Sequence, residues 1–394
     1  MERSLAHIEE VTQVDVLPGY DRVASAHILG WRVVVSKEEI KAGDKVVYFE
    51  IDSLLPANDK RFAFMEKKHY KVKTQKMCKS LSQGLAMPLS LFPELGDPEI
   101  GTDVTKELKI TYYNGDDRQR KSSGKINKND KYKRMKKRLP LLHPNFFKTK
   151  LCQYFIRREW GTKILYFFFG NDSKDLPKKF PSWISKSDQT RVENIPWVLE
   201  DSDQLYEITE KLDGTSCSYG VNRIKKDKYD YAVCSRNVRQ INEDEIPYCT
   251  FDTNVYIEMS KRYNIEKKLL DFVKENDIDT MYIQGECIGS KVQNNPYKYP
   301  EGVRELFLFE ICINGKKQSY QFIKDWAKER DMKYVPLINT KYKLPDNMEE
   351  MKKFADGYSE INPKIKREGF VYRNVDNSEM TFKNVSNDYL LKHS

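Results

Sequence analysis

The sequence predicts an α+β protein: a small N-terminal β-barrel followed by a larger domain of antiparallel sheets flanked by helices. Three observations predict it. β-branched and aromatic runs broken by turn residues crowd the first 112 positions. A Gly-, Ser-, Asn- and Lys-rich stretch follows at 113–138. Beyond residue 200, short apolar runs alternate with segments of helical periodicity. At 394 residues the chain has room for two or three domains, each with its own core.

In the first domain, 1–112, Trp31 to Val35 and Lys45 to Ile51 read as strands, with Lys41-Ala42-Gly43-Asp44 as turn material between them. Short strands at this spacing suit a small β-barrel, either a generic one or one of the OB type, a common nucleic-acid module. The stretch 116–138 holds eleven Lys or Arg against three Asp, a net +8, while the whole chain carries only +9. Such a run reads either as a solvated flexible linker or as a contact strip for phosphates.

The last domain, 139–394, opens on mixed material containing one apolar strand, Lys163 to Phe169. Strands are then expected at 205–208, 231–234, 281–283, 306–313 and 370–372. Helices are expected at 264–276, 318–330 and 346–357. In the first of these, Ile265, Leu269, Phe272 and Val273 share a face.

Several function classes are excluded. The longest apolar run, Ile164 to Phe169, is too short to span a bilayer, and the N-terminus has no signal core. Seven scattered cysteines, never spaced C-x-x-C, point to free thiols in a reducing intracellular compartment, cytoplasmic or nuclear. There is no G-x-x-x-x-G-K-[ST], H-E-x-x-H or G-x-S-x-G.

The chemistry gathers at the ends of the expected strands. Glu210-Lys211-Leu212-Asp213-Gly214-Thr215-Ser216 sets a lysine two residues from a carboxylate. Further on come Ser235-Arg236-Asn237, Gln284-Gly285-Glu286, Phe309, Glu368-Gly369 and Phe382-Lys383. A lysine amine becomes a nucleophile when desolvation or a nearby cation favours its neutral form. A Mg²⁺ ion on Asp213, Glu286 and Glu368 could supply that cation. The amine would then attack the α-phosphorus of ATP, with Lys383 neutralising phosphate oxygens and Phe309 stacking on the base. Glu286 could instead accept from the ribose hydroxyls. Each segment alone has a plainer meaning: an Asp-Gly turn, a strand-end charge, a hairpin pair, a core phenylalanine. Their joint occurrence in order is what carries weight.

These segments resemble the ordered motifs of the covalent nucleotidyltransferase superfamily, and within it the ATP-dependent RNA ligases. The likeness covers roughly 180–394. Residues 43–56 and 83–89 further resemble the N-terminal OB domain of the branch that includes the Deinococcus and Naegleria RNA ligases. The resemblance implies that Lys211 carries AMP, that Glu210 contacts the adenine amino group, and that Ser216 or Arg236 contacts the sugar-phosphate. Leu212 falls within the same nucleotide-binding motif. Gln293, Asn295 and Tyr297 would extend the Glu286 motif. It also implies ATP and Mg²⁺ (or Mn²⁺) as cofactors. The RNA partner would carry 3′-OH and 5′-phosphate ends, typically at nicks in duplexes. Apart from the resemblance, a monomer is the default expectation, and the short apolar runs imply no membrane partner.

The chain departs from the pattern in the last motif. There the family often has K-x-K, but Thr381 and Val385 flank Lys383, and only the distant Lys392 is left to compensate. Eleven residues follow Lys383, too few for the trailing OB domain of DNA ligases and capping enzymes. The competing readings are a GTP-dependent capping-type guanylyltransferase and a non-catalytic RNA-binding protein.

Overall fold

A computed structural model describes residues 4–113, 144–169, 178–200, 203–240 and 254–393. The basic run at 116–138 lies outside the described residues. Packing divides the chain into two units: Met1–Arg118 with Gln189–Leu212 and Pro336–Ser394, and Gln119–Asp188 with Asp213–Val335.

In the first unit, the N-terminal region is a curled five-stranded antiparallel sheet. Its order is Trp31–Ser36, Val23–Ile28, Ala6–Val16, Lys45–Phe49, Leu85–Pro88. The long first strand serves two partners: 6–10 pair with Lys45–Phe49 and 11–16 with Val23–Ile28, with a register shift at Val11/Gln13. A bulge of this kind bends and twists a strand, which lets a short sheet close on itself. The interior strand Lys45–Phe49 is buried on both faces. Val47 and Phe49 join a cluster with Phe62 and Phe92, while Val46 and Tyr48 join one with Trp31.

That second cluster also contains Val385 and Leu390, from the other end of the chain. The indole N–H of Trp31 donates to Asn194 at 2.6 Å, Asn194 donates to Glu50, and the Gly30 N–H donates to the Glu193 carbonyl at 2.8 Å. The barrel is therefore packed against the unit's other sheet. That sheet runs Thr190–Arg191, Thr381–Val385, Gly369–Asn374, Leu205–Lys211, Leu337–Lys343. One face buries Tyr206, Ile208, Tyr372 and Phe382 under the helix Met348–Ala355.

The second unit centres on a larger, mainly antiparallel sheet. Its inner strands are Lys228–Ser235, Thr215–Lys225, Thr280–Gly289 and Arg304–Ile313, in that order. The helices Val255–Arg262, Ile265–Glu275 and Tyr320–Glu329 cover one face. There Tyr219, Met281, Leu308, Leu269 and Trp326 interlock. The expected face of the second of these helices holds, with Ile265, Leu269 and Val273 buried and Phe272 partly so. Across the opposite face lies the segment around Trp183 and Ile184; a Cβ on Gly220 would meet the Trp183 ring at 2.6 Å.

One element differs from the sequence reading. Residues 163–169 are not a strand but part of the helix Glu159–Phe169, which pairs with the helix Lys150–Ile156. The apolar run covers only the helix's second half, so it hid the period; Gly161, Thr162 and Leu165 are its buried side. Thr149 caps the partner helix by accepting from the Cys152 N–H. No described helix is long and apolar enough to cross a membrane, and the six described cysteines are free.

Candidate active site

The motif residues fall into two groups, one on each unit. On the first, Lys211 ends the strand Leu205–Lys211, where it pairs in register with Gly369. That register brings Glu368 alongside, and its carboxylate takes the Lys211 ammonium at 2.7 Å. Glycine is required at 369: φ is +151°, and a Cβ would sit 2.1 Å from the Asn384 carbonyl oxygen. Lys383 pairs with Val371 on the next strand. Alternation places Lys211 and Lys383 on one face, opposite the Tyr206–Tyr372–Phe382 core.

Glu210 points the other way and is only 1% exposed. Its Oε2 accepts the Glu360 N–H at 2.8 Å, whereas Oε1 is buried without a hydrogen-bond partner. Burial pushes the Glu210 carboxyl above the usual carboxylate range, against the opposing pull of Ser359 and Glu360. Leu212 is buried.

The absent second lysine of the last motif has a physical account. Val385 is 2% exposed, packed in the barrel cluster, so a lysine there would bury its charge. Lys392 is exposed on the helix Asn387–His393. The buried Lys352 does reach the Val385 carbonyl, but it is committed to Glu193 at 2.6 Å.

On the second unit, Asp213 and Gly214 form the turn into Thr215–Lys225. The Asp213 N–H donates to the Tyr297 hydroxyl at 2.8 Å, so the extended motif around Glu286 props the lysine motif's turn. A Cβ on Gly214 would stand 2.3 Å from the Cys287 carbonyl oxygen. Ser216 and Glu286 are direct register partners, both half-buried, on the face away from the helices. Phe309 lies where the next strand's register shifts: Gln284 pairs with Glu310 and Gly285 with Leu308, which leaves Phe309 as the bulge residue. It is half-buried and, unlike its neighbours Leu308 and Ile311, is not part of the cluster beneath the helices. Bulges are common beside active sites because they re-aim one side chain.

Asp188 is a residue that the sequence reading missed. Both its carboxylate oxygens lie 2.6 Å from Arg236 Nη2, next to Ser187, whose hydroxyl meets that of Ser216 at 3.0 Å. The Gln284 amide holds the same segment by donating to the Ser185 carbonyl at 2.8 Å. Arg191 is a second addition, on the first unit: it pairs in register with Lys383, and its Nε and Nη1 are buried without partners. Neither sits in a recognisable motif, so only the tertiary fold exposes them.

Among the described residues, no three His, Cys, Asp or Glu side chains gather into a ready-made metal site. Asp213, Glu286 and Glu368 are nonetheless oxygen donors of the kind a hard cation takes. Mg²⁺ commonly uses one or two carboxylates and completes its shell with water and substrate phosphates.

Comparison with known proteins fits this arrangement. The RNA ligase family matches residues 204–392, and an OB-fold domain family matches residues 5–89. The region 204–392 is thus of the RNA ligase family type, and an OB-fold domain precedes it at 5–89. Solved structures of Naegleria gruberi RNA ligase are similar over the full length. An apo mutant is 27% identical with a TM-score of 0.73, covering 99% of this chain and 98% of that one. A lysine-to-alanine mutant with ATP and Mn gives 27% and 0.73, and a glutamate-to-alanine mutant with AMP and Mn gives 25% and 0.72, each covering 99% of both chains. No curated protein matches significantly by sequence alone. These findings give no support to the capping-type or non-catalytic alternatives.

Proposed function

We propose that the chain is an ATP-dependent RNA ligase that seals 3′-OH and 5′-phosphate RNA ends, acting on nicks in duplex RNA as a monomer in a reducing intracellular compartment. In covalent order we assign 1–112 to nucleic-acid binding, 113–138 to a basic linker and 139–394 to nucleotidyl transfer. The observation that carries the reading is the Lys211–Glu368 pair, set by strand register inside the segment the RNA ligase family matches.

In the first step Lys211 Nζ attacks the α-phosphorus of ATP. An N–P bond forms, the bond to the bridging oxygen breaks, and pyrophosphate leaves. In the second, the RNA 5′-phosphate displaces Lys211 and takes the AMP. In the third, the RNA 3′-OH attacks the 5′-phosphorus, and AMP leaves. A carboxylate beside an ammonium favours the charged form, which is no nucleophile. Lys211 must therefore give up a proton and its hold on Glu368 before it attacks.

A divalent cation held by Asp213, Glu286 and Glu368 would supply positive charge against that carboxylate and the phosphates; the Mn in the Naegleria ligase structures supports such an ion. Lys383 stands on the Lys211 face to neutralise phosphate oxygens. Ser216 and Arg236 take the sugar-phosphate, Glu286 a ribose hydroxyl or the cation, and Phe309 one face of the adenine. Glu210 is assigned to the adenine amino group on the family resemblance alone, since its carboxylate is buried on the face away from Lys211.

The test is sealing of a nicked RNA duplex, 5′-labelled at the nick, with ATP and Mg²⁺. The expected result is a transient 5′-adenylylated strand followed by the joined product. Joining that needs a 2′,3′-cyclic phosphate or a 5′-OH would contradict the reading.

A further inference from the structure

The helices Lys150–Ile156 and Glu159–Phe169 carry chemistry that the ligase site does not use. Lys148, Lys150, Gln153, Tyr154, Arg157 and Arg158 line a hollow of ≈ 680 Å³. Its four cations are all exposed, and Glu159 is the one acidic residue between 144 and 169. Charge alone would be a solvated face. Here it is interleaved with rings that a soluble surface normally hides: Tyr154 and Trp160 are each 50% exposed, Phe167 77% and Phe168 69%. The Arg158 guanidinium lies 3.7 Å over the Tyr154 ring. Tyr154 in turn meets Trp160 edge-on at 6.4 Å, which joins the basic stripe of the first helix to the aromatic stripe of the second.

We propose that this helical hairpin is an accessory docking surface for single-stranded RNA, separate from the nucleotide-binding residues. The proposal rests on the RNA ligase reading for its choice of polyanion. Cations spaced along a hollow match the phosphates of a strand, and exposed rings beside them offer platforms on which unpaired bases stack. A duplex would present phosphates but keep its bases stacked inside, leaving the rings unused. A lipid surface would use the apolar stripe, but it is flat and has no part that would enter the hollow. The ligand class is therefore a strand with free bases, such as a single-stranded extension next to the joining site, bound without sequence preference.

The test uses the full-length chain and a labelled single-stranded RNA, with affinity measured by anisotropy at several salt concentrations. The variants are Lys150→Gln with Arg157→Gln, and separately Phe167→Ser with Phe168→Ser. Lysine adenylylation is the control for folding. The first pair should weaken binding about tenfold and flatten the logarithmic salt slope by about 1.4, at roughly 0.7 per phosphate lost. The second should weaken binding at an unchanged slope. Unchanged affinity and slope in adenylylation-competent variants would overturn the proposal. So would loss confined to anionic vesicles, or to self-association seen by sedimentation. If the unmodified chain forms no lysyl-AMP yet binds RNA through these residues, the ligase reading fails and the docking surface stands.

Discussion

The two sheets that carry the motifs solve different problems. The lysine sheet of the first unit fixes its groups through strand register and buried neighbours: Lys211 is placed by Gly369, Glu210 by the Glu360 N–H, and the sheet itself by the barrel cluster that takes in Val385 and Leu390. The second unit's sheet holds its groups at irregularities: Asp213 in a turn, Phe309 at a bulge, and Arg236 beyond a strand end, tied to Asp188. A nucleophile needs one position, because a misplacement of 1 Å costs reactivity. Groups that grip a nucleotide can sit on more adjustable backbone. If the proposed roles hold, the contrast teaches that the covalent step is built into regular structure and recognition into exceptions to it.

The largest expected effect comes from removing the proposed nucleophile. Lys211→Ala should reduce ATP-dependent adenylylation to background by intact-mass analysis while the thermal unfolding curve stays within a few degrees.

Next come the two glycines that let strands approach. Gly369→Ala should destabilise the protein by about 3 kcal/mol or more, since it adds a backbone clash to an unfavourable φ. Gly214→Ala meets a clash of similar closeness. The open Gly302, with φ +78° and nothing within 4 Å, separates the contributions: Gly302→Ala should cost only about 1 kcal/mol. Equal losses for Gly302 and Gly369 in chemical denaturation would remove the close-approach argument.

The barrel supplies a pH test of the first unit. Burial pulls His7 down, but the carboxylates of Glu50, at 3.6 Å, and Glu9, hydrogen-bonded at 2.6 Å, outweigh that and raise it to about 9. A folded-state value above the unfolded one of 6.5 means stability that is full below pH 6.5 and lost as pH rises through about 9. The contribution is about 3 kcal/mol by linkage. His7→Gln should flatten the melting temperature between pH 6 and 9.5; an unchanged pH profile would show that His7 is not charged in the fold.

The smallest effect concerns the second unit. Asp188→Asn should raise KM for ATP about five- to tenfold, with kcat for adenylylation little changed, because the guanidinium of Arg236 loses its charged partner. A fall in kcat alone would place Asp188 in the chemistry instead.

Much of this was legible in the sequence, for identifiable reasons. The strands before Lys211, Arg236 and Glu286 read correctly because their residues are β-branched and aromatic. The helices Ile265–Glu275 and Tyr320–Glu329 read correctly because their apolar period is clear. Gly214 and Gly369 were visible as motif letters, though the close contacts that demand them were not. The helix Glu159–Phe169 was misread because a six-residue apolar run fits either period. Asp188, Arg191 and the packing of Val385 against the barrel were invisible for another reason: each depends on contact between segments far apart in sequence, and no local pattern encodes it. The Lys211–Glu368 pair spans 157 positions and exists only through strand register.

The most direct test of the account is to map the nucleotide. Purified protein, first shown to be free of bound AMP, is incubated with ATP or GTP and Mg²⁺, digested, and sequenced by mass spectrometry. The account expects one AMP on the Lys211 peptide with ATP and no adduct with GTP. AMP on any other residue, GMP on Lys211, or no adduct at all would contradict it.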